Sequence, residues 1–388
     1  MAQDLPSSAR VVVIGGGIMG CSVAYHLTKL GWSDVVLLEQ FQLTAGTTWH
    51  AAGLVGQLRN NESMTRIASY AIDLYSRLEE ETGQATGFKQ NGAVTIAQTE
   101  ARFIELKRHA AMAGRFGVEC HVIGPDEVKR RWPLAETGDV VGAIWLPKDG
   151  QTNPTDTTQA LARGARQGGA KIVERVTVSG IERDGKGVSG VTTDRGRIAC
   201  EYVVLCAGLW SRDLAARHGL TVPLHASEHM YIVTEPMAEV GADLPVLRDY
   251  DSRLYIKEDA GKLLVGMFED VAKPWATGGT PEGHEFGEFD ADWDHFEPYF
   301  ENALRRIPAL ERAGIRQFLN GAESFTPDQR YILGEAPGWD RLYVGTGFNS
   351  IGIASGAGTG KALAEWLVEG EAPMDLWDVE CAASCPSR

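Results

Sequence analysis

The hydrophobic and polar positions of residues 10–39 follow two different periodicities. The apolar run RVVVI is followed by the glycine-rich segment GGGIMG, an amphipathic stretch to Leu30 and a second apolar run, DVVLLE. Short apolar runs bounded by turn residues predict buried strands, and the longer amphipathic stretch predicts a helix. The segment therefore predicts a strand, a turn, a helix and a second strand, which together form one βαβ unit.

The same patterns predict elements along the rest of the chain. Helices are expected at about 62–83, 101–114, 153–168 and 290–303, at a short segment opened by Pro125, and in a small-residue stretch that ends near Val368. Strands are expected at 93–97, 120–124, 171–174, 178–182, 187–194, 202–206, 229–236, 253–259, 262–268 and 341–345, with a hairpin turn at 184–187. Strands that alternate with helices, beside a β-rich stretch from 222 to 324, predict an α/β fold.

Composition excludes several classes of protein. The chain has 388 residues, enough for two or three domains at about 150 residues each. With 37 basic and 52 acidic residues its net charge is -15, which repels nucleic acids and anionic membrane surfaces. No apolar run approaches the ~20 residues that span a bilayer, so no membrane segment is expected. The ten residues before the first strand hold no apolar stretch of signal-peptide length, which predicts a cytoplasmic protein.

Cysteine spacing argues against a metal centre. The six cysteines are scattered, and no CxxC pair or Cys/His cluster has the spacing of a zinc site. We therefore expect reduced thiols, most of them in the core, and no bound metal. The 45 glycines, about 12% of the chain against a usual ~7%, predict many tight turns or close backbone approaches.

The first glycine-rich turn has the spacing of a dinucleotide-binding fingerprint, Gly15-x-Gly17-x-x-Gly20. The first glycine permits the tight turn, the second lets a pyrophosphate approach the backbone, and the third lets the helix pack on the strand. Glu39 ends the second strand about 20 residues later, where a carboxylate accepts hydrogen bonds from ribose hydroxyls and disfavours a 2′-phosphate. The fingerprint predicts a dinucleotide and leaves FAD and NAD open.

Four segments resemble one family. They are TAGTTWHAAGL (44–54), EHMYIVTEP (228–236), FTPDQRYILGEAP (325–337) and LYVGTGFNSIGI (342–353). Together they resemble the flavin domain of the dimethylglycine and sarcosine dehydrogenase family, within the D-amino-acid-oxidase-like superfamily. The resemblance runs from about Arg10 to Asp378, and TTWHAAGL is its most specific part.

The resemblance implies a covalently bound FAD. In that family the histidine of the segment that matches Thr47, Thr48 and His50 is bonded to the flavin. A neutral imidazole is a competent nucleophile for such a bond. Judged by its neighbours alone, a single histidine in a Thr/Trp/Ala loop is more often structural, and it is the resemblance that assigns this role to His50.

The segment from 345 to 352 is a second candidate for cofactor binding, by the same reasoning as the first glycine-rich turn. Gly345 and Gly347 allow backbone N–H groups to approach the flavin, and Phe348 and Asn349 lie in the same loop. A helix that begins near Ile351 directs its positive end at the flavin, which stabilises negative charge on the reduced ring. The alternative is a glycine-rich loop that merely closes the sheet.

The resemblance also points to substrate-facing residues. His229 and Tyr255 match the histidine and tyrosine that face the substrate across the flavin in that family. Judged without the resemblance, a strand histidine or tyrosine is often simply a core residue. Arg59 could bind a substrate carboxylate in a bidentate fork, and its alternative is a solvated surface arginine.

The fold implied is a doubly wound, Rossmann-like FAD-binding domain made of residues 1–85, 150–221 and 322–375. A β-rich substrate domain of residues 86–149 and 222–321 would be inserted into it and cover the open face of the flavin. The tail, 376–388, has no periodicity and a proline close to its end, so we expect it to be poorly ordered.

The function implied is oxidative N-demethylation of a small N-methylated amino acid such as sarcosine or dimethylglycine. A hydride would pass from the N-methyl carbon to the flavin, and water would split the iminium into formaldehyde and the demethylated amine. Oxygen or an electron-transfer protein would then reoxidise the flavin. Typical members continue past a segment like MDLWDV (374–379) into a folate-binding domain, so we expect either a stand-alone oxidoreductase or a shortened product of a longer parent.

Three alternatives stay open. The same scaffold could oxidise glycine, a D-amino acid or a betaine-derived amine, because fold does not fix function. The glycine fingerprint alone also permits an NAD-dependent dehydrogenase. The third alternative is a flavoprotein or partner subunit without activity of its own. The substrate's identity and the oligomeric state are not predicted.

Overall fold

A computed structural model describes residues 4–185 and 187–384 of the chain. Its strands are β1 (Ser8–Ile14), β2 (Val35–Glu39), β3 (Leu54–Val55), β4 (Ala93–Ala97), β5 (His121–Ile123), β6 (Gly142–Leu146), β7 (Gly150–Gln151), β8 (Lys171–Glu174), β9 (Val178–Asp184), β10 (Gly187–Thr193), β11 (Gly196–Leu205), β12 (His225–Thr234), β13 (Val246–Asp249), β14 (Leu254–Asp259), β15 (Lys262–Met267), β16 (Pro274–Trp275), β17 (Ile315–Phe325), β18 (Ile332–Glu335) and β19 (Leu342–Thr346). Its α-helices are α1 (Ile18–Lys29), α2 (Glu62–Thr82), α3 (Glu100–Arg115), α4 (Pro125–Arg131), α5 (Pro154–Gln167), α6 (Ser211–Ala216), α7 (Trp293–Arg306), α8 (Gly352–Glu369) and α9 (Cys381–Ser384).

The first large sheet is mostly parallel. Its strands run in the order β18-β19-β11-β1-β2-β8, and β9 and β10 extend it as an antiparallel hairpin from the start of β11. The central strand β1 has β2 on one side and β11 on the other, so the chain reverses its direction of winding at β1. Ligands of open α/β sheets bind at the carboxyl end of the strand where this reversal occurs.

Both faces of the first sheet are covered, which explains why its strands are apolar at successive positions. Val11 and Val13 of β1 pack in a cluster with residues of α1, α2, α5 and α8. Val12 and Ile14 pack on the opposite side with residues of β9, β10 and α6. The predicted class, α/β with a doubly wound sheet, is confirmed.

The second large sheet is mainly antiparallel. Its order is β16-β12-β15-β14-β13-β4-β6-β5, and β17 pairs with β12 along nearly its whole length. One face packs on α7 through residues such as Met230 and Ile256. The other face carries Tyr231 and Tyr255, which cluster with Trp49 of the loop that follows β2. This face therefore lies against the segment in which the flavin attachment was predicted. The domain boundaries proposed from the sequence stay a prediction.

The end of the chain differs from the sequence expectation. Leu376, Val379 and Cys381 are buried, and Glu380 forms a β-bridge with Leu333 of β18. The expected disorder of the tail is therefore wrong for residues 376–384, because their apolar side chains cover the edge of the first sheet. Residues 385–388, and Lys186 in the predicted hairpin turn, lie outside the described residues. Among the helices that the structure describes, none has both the length and the apolar character needed to cross a membrane.

Candidate active site

The turn between β1 and α1 accepts only glycine at two positions. Gly15 has a φ of 108°, and a Cβ there would lie 2.4 Å from the carbonyl oxygen of Cys206 at the end of β11. A Cβ on Gly20 would lie 1.9 Å from the carbonyl oxygen of Gly15. The first glycine thus brings neighbouring strand ends together, and the third lets α1 start directly against the turn.

Polar side chains surround the start of α1. Gly17 is the N-cap residue, and the Ile18 N–H donates to Thr48 Oγ1 at 3.1 Å. Glu39 accepts the Gly16 N–H at Oε2, at 2.6 Å. Burial raises the pKa of the Glu39 carboxyl, although its backbone hydrogen bonds favour the ionised form. A helix N-terminus and an acceptor carboxylate lie at the same strand ends, as a dinucleotide requires.

A cleft runs from these strand ends past the turn to the loop after β19. Of the predicted cofactor residues, eight line it: Gly15, Gly17, Glu39, Thr47, Thr48, Gly345, Gly347 and Phe348. The other four predicted positions, Gly20, His50, Asn349 and Ile351, are not among the lining residues that the structure describes. Trp210, which follows β11, also lines the cleft and was not predicted.

The loop between β19 and α8 is held in an unusual conformation. Gly347, Asn349 and Ser350 have φ values of 72°, 48° and 62°, and the last two are not glycines. Asn349 holds the loop, because its Oδ1 accepts the Thr326 N–H at 2.8 Å and its Nδ2 donates to the Gly347 carbonyl at 2.7 Å. Backbone strain of this kind is kept where the surrounding structure fixes a functional geometry. The loop directs Ser350 towards a second cavity.

His50 is buried, 4% exposed, at the end of the segment that carries Thr48. Its ring lies on the backbone of β17, where a Cβ on Gly321 would be 3.0 Å from the ring Cε1. Burial, and then the charge of His229, lowers the pKa of His50 to about 4. The imidazole is therefore neutral at neutral pH, which is the nucleophilic form.

A small second cavity adjoins this histidine. Its lining consists of His50, Ala51, Ala52, Gly53, Leu54, His229, Tyr231, Tyr255, Phe268, Glu323, Ser350 and Ile353. The segment after β2 and the loop after β19 contribute to the walls of both cavities. The structure thus brings His50, His229 and Tyr255 together, although they come from a loop and two strands far apart in sequence.

His229 lies within hydrogen-bonding reach of Tyr255 and at ion-pair distance from Glu269. Its Nε2 is 3.3 Å from the hydroxyl of Tyr255, and its Nδ1 is 3.6 Å from Oε2 of Glu269. Burial opposes a charged imidazole, but Glu269 and the charge of Glu323 outweigh it, so the pKa of His229 is raised. Burial and the nearby carboxylates raise the pKa of Tyr255, which therefore stays a neutral phenol.

Two acidic residues of this site were missed from the sequence. Glu323 on β17 lines the cavity and accepts a hydrogen bond from Ser350 Oγ. Glu269 follows β15, with 4% of its side chain exposed, and its Oε1 is buried without a hydrogen-bond partner among the described residues. The signal for Glu323 was its position next to the FTPDQRYILGEAP segment, two residues before Phe325.

Arg59 lies apart from both cavities as the structure describes them. It is half-buried and lies under the influence of the charges of Arg248 and Asp149. Its Nη1 donates to the Leu58 carbonyl at 2.8 Å, and its Nε has no partner among the described residues. Arg248 is 3.5 Å from Asp149 and stands opposite Tyr255 in the β13-β14 pair. Arg248 thus pairs with Asp149 next to the strand that carries Tyr255, and the charge of Asp149 also acts on Arg59.

The fold and the cleft are those of a dinucleotide-binding protein. A family described as FAD dependent oxidoreductase matches residues 10–366, and the chain belongs to this family. The match supports FAD where the glycine fingerprint had left FAD and NAD open.

The relatives bear out the resemblance found in the sequence. The chain is 44% identical over 96% of its length to 4-methylaminobutanoate oxidase (formaldehyde-forming) of Paenarthrobacter nicotinovorans, covering 45% of that protein. It is 42% identical over 97% of its length to the mitochondrial sarcosine dehydrogenase of Homo sapiens, covering 41% of it. It is also 41% identical over 97% of its length to the mitochondrial pyruvate dehydrogenase phosphatase regulatory subunit of Mus musculus, covering 43%. The chain spans less than half the length of these curated relatives.

Solved structures bear out the fold. The L-proline dehydrogenase of P.horikoshii superposes with a TM-score of 0.88 at 25% sequence identity, covering 97% of this chain and 98% of that one. The two chains therefore share one architecture over essentially their whole lengths.

Proposed function

We propose that the protein is an FAD-dependent oxidoreductase that demethylates small N-methylated amino acids. The observation that carries the proposal is the cavity beside the dinucleotide cleft, in which His50, His229 and Tyr255 meet. The names of two relatives support it, because the substrates in those names, 4-methylaminobutanoate and sarcosine, are amino acids with a methyl group on the nitrogen.

The residues of the cleft fit FAD. The glycine turn leaves space that a Cβ would fill, α1 presents its N-terminus, and Glu39 offers acceptors for a ribose. When bound, FAD supplies the two-electron acceptor for oxidation of the N-methyl carbon. We propose that His50 holds it covalently, since its ring is neutral and lines the second cavity, two residues after Thr48 of the cleft.

The side chains of the second cavity have separate roles in this proposal. An amine is oxidised only when its nitrogen lone pair is free, so a substrate that is an ammonium ion in water must lose a proton. Tyr255, a neutral phenol, and His229 are the catalytic residues that hold and orient the nitrogen. Water then splits the iminium product into formaldehyde and the demethylated amine.

We assign the substrate carboxylate to the arginine cluster. The Nε of Arg59 has no hydrogen-bond partner among the described residues, and Arg248 lies 3.5 Å from Asp149. Two guanidinium groups and one carboxylate therefore make up the cluster. A carboxylate is bound best by a guanidinium fork. The register of β13 and β14 pairs Arg248 with Tyr255, which lines the second cavity.

The deciding experiment is an anaerobic screen of the purified holoenzyme against sarcosine, dimethylglycine and 4-methylaminobutanoate. One of them should bleach the flavin absorbance, and aerobic turnover should give formaldehyde and demethylated amine in a one-to-one ratio. A product aldehyde or keto acid that comes only from the α-carbon would instead establish an amino-acid oxidase. The reoxidising partner, oxygen or an electron-transfer protein, would be identified in the same assay.

A second candidate is a flavoprotein subunit without activity of its own, because one relative is named as a regulatory subunit. Flavin that no amine bleaches would favour it. The predicted cytoplasmic location stays a prediction, since two of the relatives are named as mitochondrial proteins.

A further inference from the structure

Glu323 is a buried carboxyl group in the second cavity for which the roles above leave no function. It lies on β17, opposite Ser227 of β12, while Gly321 lies opposite His229. Residues two apart on a strand point to the same face, so Glu323 and His229 are diagonal neighbours on the face that lines the cavity. The sheet register alone thus brings this carboxyl beside the proposed catalytic histidine.

The carboxyl of Glu323 is oriented by the loop after β19. Ser350 Oγ donates to Oε2, and Ser350 is held for this contact by the strained backbone described above. The contact with Ser350 uses Oε2 and leaves Oε1 out, and Glu323 lines the cavity. One oxygen is therefore fixed by the protein, and the second remains as an acceptor that faces the cavity.

The charges that face Glu323 do not balance. His50 is neutral, and Tyr231 and Tyr255 are phenols whose pKa values are raised by burial. That leaves the imidazole of His229 to offset two carboxyls, Glu269 and Glu323. With all three ionised the cavity carries one excess negative charge, which a cationic ligand would neutralise.

His229 is poorly suited to accept a proton from that ligand. It already contacts Glu269 and Tyr255, and its raised pKa keeps the imidazole protonated to higher pH. Burial raises the pKa of Glu323, opposed by His229, which makes this carboxylate a stronger base than one in water. Glu269 Oε1 is buried without a hydrogen-bond partner among the described residues, but Glu323 is the carboxyl residue that lines the cavity. A ligand in the cavity therefore meets the carboxyl group of Glu323.

We propose that Glu323 binds the substrate's ammonium group and takes its proton. The N–H bond of the substrate breaks, an O–H bond forms on Glu323 Oε1, and the electron pair stays on nitrogen, where oxidation of the methyl carbon requires it. This role rests on the proposed function, since it needs an amine substrate. The step needs no external oxidant or base.

Proton counting tests the step without turnover. Dimethylglycine is titrated anaerobically into photoreduced holoenzyme, which cannot oxidise it, in buffers of different ionisation enthalpy at pH 8. The wild type should release no measurable proton to the solvent, because the substrate's proton stays in the complex. Glu323→Gln should bind only the neutral amine, so the substrate's proton, about one per site, should be released to the solvent. The affinity of this variant for dimethylglycine should rise roughly tenfold per pH unit up to the pKa of the amine. Acetate, which has no ammonium group, should bind both proteins within a few-fold.

Two further variants make the outcome decisive. Glu371→Gln, at an exposed position, is the matched control and should behave as wild type. If Glu323→Gln does not fold, Ser350→Ala serves instead. Ser350→Ala removes the hydroxyl that donates to Glu323, and this raises the pKa of the Glu323 carboxyl group. The pH above which dimethylglycine binds without proton exchange should therefore rise by about half a unit or more.

Equal proton release and equal affinity in wild type and Glu323→Gln, or an unmoved pH profile in Ser350→Ala, would overturn the role of Glu323. The proposed function would still stand after such results if the wild type binds an N-methylated amino acid and its flavin is reduced by it. Wild-type protein that binds acetate but none of the three amines would instead refute the proposed function.

Discussion

A substitution behind Tyr255 tests the catalytic geometry without replacing a proposed catalytic residue. Gly266 of β15 stands opposite both Tyr231 and Tyr255, and the ring of Tyr255 lies directly on its backbone. A Cβ in Gly266→Ala would be 2.0 Å from Cζ of Tyr255 and 2.3 Å from its hydroxyl oxygen. Carbon atoms pack at about 3.5–4.0 Å, so the ring must move by roughly 1.5 Å.

The size of the effect follows from that displacement. The Tyr255 hydroxyl is 3.3 Å from His229 Nε2, and a shift of roughly 1.5 Å breaks this contact. Misplacement of a positioning group by about 1 Å costs on the order of 10²-fold in rate. Overpacking of this kind also destabilises the fold by about 1–3 kcal/mol. We expect reduction of the flavin by substrate to slow by about 10²-fold, at normal flavin content.

The assay is anaerobic stopped-flow reduction at saturating substrate, with flavin content and urea unfolding measured on the same samples. Gly241→Ala is the control, because no heavy atom lies within 4 Å of its added Cβ. In a Tyr255→Ala background the Gly266→Ala change should have little further effect, since the ring it displaces is gone. Wild-type reduction in Gly266→Ala, or an equal loss in both backgrounds, would refute the proposed role of Tyr255.

Three other predictions concern the cofactor and the stability of the fold. His50→Ala should lose flavin that stays in the acid-precipitated pellet, and release of all flavin from fully loaded wild type would contradict covalent attachment. Glu39→Ala should incorporate less FAD, since each charged hydrogen bond lost costs about 1.5–3 kcal/mol, and normal incorporation would contradict the ribose contact. Burial lowers the pKa of His26 to about 3 in the folded state, so the unfolded chain binds its proton first and stability falls as pH drops from about 6.5 towards 3. The free energy of unfolding, measured with urea between pH 7 and 5, should depend less steeply on pH in His26→Gln than in the wild type. An equal pH dependence in the two proteins would argue against this.

Local signals in the sequence predicted much of the secondary structure. The strands at 93–97 and 171–174 have the predicted bounds. The helix after Asn153 begins as expected, with Asn153 Oδ1 accepting the Asp156 N–H at 3.1 Å. These features depend on residues a few positions apart, which is the range over which periodicity and capping act.

The composition of the second cavity could not be predicted in the same way. Glu269 and Glu323 lie in segments whose pairing with β12 is set by contacts distant in sequence. A glutamate in a strand or loop carries no local mark that distinguishes a solvated residue from a buried one. The resemblance supplied His50, His229 and Tyr255, while only the assembled sheet shows which acids surround them.

The position of His229 on β12 shows why the sequence alone could not predict which residues face the cavity. Nearly every residue of β12 is buried, so the strand has no alternation of apolar and polar positions that would assign its faces. The pairing with β17 decides the matter, because it sets His229 opposite Gly321. A slip of one residue would turn Glu228 and Met230 into the cavity and His229 towards α7. Gly321 also leaves the space that the ring of His50 occupies. The register that selects His229 is thus the one that admits the proposed flavin ligand beside it.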